Sequence, residues 1–167
     1  MKILFYLLWM ILLSILQPTF ARNIAVWGIA PNLFLCFVIL VGCFRGAFEG
    51  AVCGMIFGLV YDLLVGRMVG VSSLIYLYLG LGAGLLGAGF FSNGKQLAGC
   101  VGAIAGTLVA GLVYYVSHTA TGSDIGFVIA IFRISLLEAV YNGVLGFLMA
   151  YPLRLSMKMI RRSSFGG

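Results

Sequence analysis

Charge is scarce in this chain of 167 residues: only 8% are charged, with Asp and Glu together numbering four. A water-soluble domain of this size carries roughly a quarter of its residues as Asp, Glu, Lys and Arg, so a soluble enzyme or a solvated binding module is excluded at the outset. Histidine occurs once, and the four cysteines, Cys36, Cys43, Cys53 and Cys100, form no CxxC or Cys/His zinc spacing. A metal centre is therefore not expected, nor any other cofactor. The cysteines fall inside apolar runs as small packing residues, and His118 stands alone.

What fills the chain instead is apolar: 63% hydrophobic residues and a mean hydropathy of +1.18. With so little polar sequence outside the apolar runs, the backbone must satisfy its own hydrogen bonds within a bilayer, as helices or a closed barrel. A barrel shows roughly ten-residue segments of alternating polarity, whereas Leu97–Val116 carries no charge at all. Runs of about twenty apolar residues span as helices. Six are expected, over 3–21, 26–44, 46–65, 71–91, 97–117 and 131–153, with a basic tail over 154–167. Short connections make sequential helices neighbours, so the whole chain, 1–167, reads as one all-α multi-pass membrane domain, a compact bundle.

Lys and Arg near helix ends stay on the cytoplasmic side. With the amino terminus inside, Lys2, Arg45, Lys95, Arg154, Lys158, Arg161 and Arg162 gather at the inner ends, and Arg22, Arg67 and Arg133 at the outer ends, seven against three. Both termini are expected in the cytoplasm. Lys2, the apolar run and Thr19-Phe20-Ala21 have the outline of a signal peptide, but the run is long, Gln17-Pro18 interrupts the cleavage region, and removal would worsen the charge balance. The net charge of +6 does not point to nucleic acid, because the cations are scattered at helix ends. Only Arg154, Lys158, Arg161 and Arg162 cluster, at spacings that suit an anchor on anionic lipid headgroups or a docking face for a cytoplasmic partner.

Glycine is the first positive signal. Gly46, Gly50, Gly54 and Gly58 recur every four residues in the third span, extending back to Gly42, and Gly80, Gly82, Gly84, Gly87, Gly89, Gly99, Gly102 and Gly106 continue the theme. Such stripes let two helix backbones approach closely in lipid. Packing within the bundle is the first reading; the second is a stripe that accepts the single membrane helix of a partner or a close-approaching ligand.

Intramembrane charge is the second signal. Glu49 follows Arg45 by four residues, a spacing that lets the pair neutralise itself and snorkel to the interface. Asp62 and Glu138 lie about one turn inside the outer ends of their spans, Asp62 in register with the glycine stripe and Asn142 one turn from Glu138. Together with Gln17, Asn32, Arg67 and Arg133 they compose an outer polar cluster. Such a cluster serves either as a structural network that fixes helix register or as a binding site.

These residues also carry a family resemblance. Leu16-Gln17, Pro31-Asn32-Leu33, Arg45-Gly46 with Gly50, the stretch Gly58-Leu59-Val60-Tyr61-Asp62-Leu63-Leu64-Val65-Gly66 with Gly70, then Glu138, Tyr141-Asn142 and Pro152 resemble the rod shape-determining protein MreD family in order. Val65 stands where many relatives carry a small polar residue. The resemblance implies a non-enzymatic scaffold in the bacterial cytoplasmic membrane that binds the bitopic shape protein MreC. It would thereby support the MreB filament, RodA and a class B penicillin-binding transpeptidase in peptidoglycan synthesis. It also implies a bundle similar to the substrate-binding subunits of energy-coupling-factor vitamin transporters. That likeness supplies the rival function, capture of a small molecule at an outward polar pocket, for which Trp27, His118, Thr121 and Ser123 are available.

An intramembrane protease is not expected. A serine enzyme needs Gly-x-Ser-Gly, but Gly70-Val71-Ser72-Ser73 lacks the last glycine; an aspartyl enzyme needs two facing aspartates, but Gly80-Leu81-Gly82 is followed by Ala83 and Asp124 lies in a loop.

Overall fold

The computed structural model describes residues 2–21, 23–25, 28–66, 69–90, 95–120 and 134–163. Six α-helices run through them: α1 Lys2–Leu16, α2 Leu33–Arg45, α3 Ala47–Val65, α4 Val71–Phe90, α5 Lys95–Ala120 and α6 Leu136–Ser163. Among the described residues, three stretches are long and apolar enough to cross a membrane: Ala47–Val65, Leu97–Ser117 and Leu136–Met157. The apolar helices Ile3–Thr19, Leu33–Arg45 and Val71–Gly87 are shorter.

Helix α2 is the axis of the fold. Every residue from Leu33 to Cys43 is buried, and α3, α4, α5 and α6 pack around it. A helix that is apolar on all sides belongs inside a bundle, and at 1.5 Å per residue these 13 residues reach only about 20 Å. The second span was expected to start at residue 26; the helix instead starts at Leu33. Pro31 biases the residue before it toward extended backbone. Asn32, at φ −105° and ψ 92°, caps the helix by accepting from the Leu35 N–H at 3.1 Å. Apolar periodicity alone is blind to that stop, because the residues before Pro31 are as apolar as those after it.

Two other ends differ from expectation. α1 gives way at Gln17 to a π-helical turn over Gln17–Ala21. α6 does not end near residue 153: it passes through Pro152 to Ser163, so the first ten residues assigned to a basic tail are helical, and 164–167 lie outside the described residues. Pro152 is exposed, so its ring and its lost N–H fall on the outer side of the helix, where a membrane helix tolerates them. Residues 131–133 of the expected sixth span also lie outside the described residues.

The third and fourth helices form the tightest pair. α2 turns into α3 through Gly46 alone, at φ +102°, a conformation that L side chains rarely adopt. The stripe of α3 then faces a matching stripe on α4 in antiparallel register: Gly58 meets Ser72 and Ser73, Gly54 meets Tyr76 and Leu77, and Gly50 meets Gly80. A Cβ on Gly50 would lie 2.5 Å from the Gly80 carbonyl oxygen and 2.7 Å from the Gly42 Cα, so three backbones converge at that level. The glycine stripe is thus filled by α4, and it is not an open face for a partner helix.

Aromatic rings fill the space where glycine is absent. Phe37 stacks between Phe57 (4.9 Å between centroids) and Trp9 of α1 (5.2 Å), while Tyr61 sits 5.6 Å from Phe34 and 5.7 Å from Tyr76. The outer faces of the helices stay apolar: Leu7, Ile11 and Ile15 on α1, Val52, Ile56 and Leu63 on α3, and Val140, Val144 and Leu148 on α6 are exposed. Without a hydrophobic drive between helices in lipid, it is backbone proximity and interhelical hydrogen bonds that hold such a bundle together.

Candidate functional site

Polar side chains converge on the start of α2. The backbone N–H of Asn32 donates to Asn142 Oδ1 at 2.7 Å, and its side-chain amide donates to the Tyr76 hydroxyl at 2.6 Å. Asn142 in turn donates through Nδ2 to Thr107 Oγ1 at 2.8 Å, and Thr107 donates to the Ala103 carbonyl at 2.6 Å. One side chain from each of α4 and α6 therefore meets the cap of α2, and α5 joins them through Asn142. Asn32, Tyr76, Thr107 and Asn142 are all buried, at 2%, 0%, 1% and 0% exposure; these four can reach no bulk solvent, so their mutual bonds replace it.

Gln17 extends the set to α1. Its amide nitrogen donates to the Pro31 carbonyl and its amide oxygen accepts from the Leu33 N–H, both at 2.9 Å. This two-way bridge satisfies one of the open N–H groups of α2 and ties the π turn after α1 to the extended segment before α2.

Asp62 belongs to a second set. Its carboxylate is fully buried and accepts from the Gly70 N–H at 2.8 Å and the Ser72 N–H at 3.1 Å. These donors open α4, so an aspartate from α3 caps the neighbouring helix and its negative charge faces the positive end of that helix dipole. The Asp62 carbonyl also accepts from the N–H of Gly66, whose φ of +69° ends α3. The departure at Val65 therefore sits on the last residue of α3, one position before this left-handed turn. Ser72 closes the set by bonding its hydroxyl to that of Tyr114, and the adjacent Ser73 donates to the Met55 carbonyl at 2.7 Å.

Of the residues grouped by sequence, then, Asn32 and Asn142 are bonded directly, and Gln17 is bonded to the backbone on either side of Asn32. Asp62 is apart from them, in the last turn of α3, and the two sets are linked along α4, where Ser72 and Tyr76 stand one turn apart. Glu138 is half-buried on α6, close enough to Cys36 and Tyr76 for its charge to act on both. Arg67, Arg133, Trp27, Thr121, Ser123 and Asp124 lie outside the described residues, as does the side chain of His118. Arg154 is exposed on α6, while Lys158, Arg161 and Arg162 continue its backbone helix.

The residues missed by the sequence reading are Ser72, Tyr76, Thr107 and Tyr114. A signal for two of them existed: Ser72, Tyr76, Gly80 and Gly84 repeat every four residues along α4, the mirror of the stripe on α3. Thr107 and Tyr114 are isolated in an apolar run and carry no such pattern.

The opposite end of the bundle holds a smaller set. Glu49 forms the expected ion pair with Arg45, whose Nε lies 3.7 Å from its Oε2, and the same oxygen also accepts from the Tyr6 hydroxyl of α1 at 2.8 Å. Nε and Nη2 of Arg45 are buried and have no hydrogen-bond partner among the described residues. No group of three or more His, Cys, Asp or Glu among the described residues has the spacing to hold a metal ion.

The family model of the rod shape-determining protein MreD matches residues 1–160. No curated protein and no solved structure matches this chain.

Proposed function

This chain belongs to the rod shape-determining protein MreD family, and on that premise we propose that it acts as a scaffold that binds the single-span protein MreC. It is a rod shape-determining membrane protein; the match over residues 1–160 of 167 carries that statement and the proposal built on it. Through MreC the protein would support MreB, RodA and a class B penicillin-binding transpeptidase in peptidoglycan synthesis. We place it in the bacterial cytoplasmic membrane as one multi-pass domain of six spans with both termini inside, in a bundle of the energy-coupling-factor subunit kind. The scaffold is non-enzymatic, and anionic lipids contact its basic end at Arg154, Lys158, Arg161 and Arg162.

The packing supports a particular mode of docking. Because α4 fills the glycine stripe of α3, the membrane helix of the partner meets an outward apolar face, and the buried polar network serves to hold the bundle in the shape that presents this face. Affinity then comes from van der Waals contact along the helices, with interhelical hydrogen bonds of about 0.6 kcal/mol each and at most about 1.7 kcal/mol.

Detergent co-purification tests the proposal. The chain is co-expressed with the MreC of its own organism and with an unrelated single-span protein. A complex with MreC alone supports the scaffold; co-purification of an ATPase pair or a bound small molecule in its place overturns it in favour of a transporter subunit.

A further inference from the structure

We propose that the outward stripe of α6 is the interface of a parallel homodimer, in which the Tyr151 hydroxyl of each copy donates to the Leu148 carbonyl that Pro152 leaves open in the other. Three observations carry this. Val140, Val144, Leu148, Tyr151 and Leu155 follow one another at helical spacing and are all exposed, so a single seam about 22 Å long runs down α6. Pro152 has no N–H, which deprives the Leu148 carbonyl of its donor within the helix, and the nearby Ser156 hydroxyl is spent on the Pro152 carbonyl at 2.8 Å. The Tyr151 hydroxyl has no hydrogen-bond partner among the described residues.

Depth makes both groups costly to leave unserved. Leu148 lies about 13 Å along the axis from the end of the apolar stretch at Met157 and about 18 Å from its start at Leu136, where a bilayer holds no water. A long side chain on a helix leans toward the helix N-terminus, which takes the Tyr151 hydroxyl away from the nearer end of the span and down to the level of Leu148. Tyr78, also exposed on α4, leans instead toward the start of its own helix about 10 Å away, and so reaches the interface that suits a tyrosine. Lipid tails offer neither donor nor acceptor, whereas a second copy offers both. Tyr151 and Pro152 stand about 100° apart around the axis, on either side of the seam. A two-fold axis along the membrane normal therefore sets the hydroxyl of each copy opposite the open carbonyl of the other, at one depth, in two equivalent bonds. This pairing leaves the exposed faces of α1 and α3 uncovered and does not depend on which partner the protein binds.

The test measures the dimer fraction of the full chain in lipid vesicles, by energy transfer between donor-tagged and acceptor-tagged copies over a series of protein-to-lipid ratios. Tyr151→Phe removes the donor, and Pro152→Ala gives the carbonyl a donor within its own helix; each change deletes both bonds and weakens the dimer about eightfold. The double change is no worse than either single one, because the same bonds are lost. Tyr78→Phe has no effect, and an unchanged or raised thermal midpoint for Pro152→Ala shows that the loss is not unfolding. Disulfide trapping in membranes then places the seam: Val144→Cys links two copies, and Leu74→Cys, exposed on α4, does not. A chain that stays monomeric at every ratio, variants that pair as the unaltered chain does, a double change that multiplies the single losses, or equal trapping at Leu74 and Val144 would overturn the dimer. Capture of a single-span protein at Val144 in place of a second copy would overturn it as well and give the seam to that protein.

Discussion

The N–H of Asn32 points at the side-chain oxygen of Asn142 from 2.7 Å, and 110 residues of sequence separate the two. That bond fixes how deep α2 starts inside the bundle, because the cap of a short central helix has no water to fall back on. Replacing Asn142 with Ala leaves the Asn32 N–H without its acceptor and Thr107 without its donor. Leaving a buried donor unpaired costs about 1–3 kcal/mol. The expected outcome is a lower midpoint of thermal unfolding in detergent; an unchanged midpoint would mean that water or a shifted side chain restores the bond.

Asp62 works as a cap, so charge matters less at this position than an acceptor of the right length. Asp62→Asn keeps an oxygen for Gly70 and Ser72 and is expected to retain most of the stability, whereas Asp62→Ala loses about 1 kcal/mol, up to about 2. Cell elongation and protein abundance are the readouts. Asp62→Ala or Glu138→Ala alone should weaken function in part, and the double change should be worse; untouched elongation and abundance in all three would remove any role for these carboxylates.

The glycines of α3 and α4 are not equivalent, and a pair of substitutions separates them. A Cβ on Gly54 would drive into the Tyr76 carbonyl of α4, while one on Gly82 meets nothing within 4 Å. Gly54→Ala is therefore expected to cost about 1–3 kcal/mol or more, since neither backbone can yield. Gly82→Ala is expected to be neutral or slightly stabilising through helix propensity. Abundance in membranes and resistance to heat in detergent should rank the two in that order. Equal tolerance would contradict the antiparallel register of α3 and α4.

Pro152 lies within a continuous helix, on its exposed side. Pro152→Ala restores one backbone N–H to α6 and is expected to leave the thermal midpoint unchanged or raised. A marked loss of stability would show that the chain needs a break at this point, as a separate tail beginning at residue 154 would require.

The sequence by itself determined the class of this protein: too little charge for water, and apolar runs long enough to make helices whose backbones satisfy themselves in lipid. The four-residue glycine spacing also announced a close helix contact, because periodicity on a helix is a local property. Asn32 and Asn142 were legible as polar residues in apolar surroundings, but which of them touch was not, since neither spacing nor hydropathy encodes a contact across 110 residues. Only the tertiary structure decided that α4 fills the stripe, that Asp62 caps α4 instead of joining the Asn32 set, and that Tyr6 of α1 joins Arg45 at Glu49. The physical reason is common to all three. Each depends on which helix lies opposite, and a buried donor or a bare backbone can be served by any neighbour that packing brings within about 3 Å.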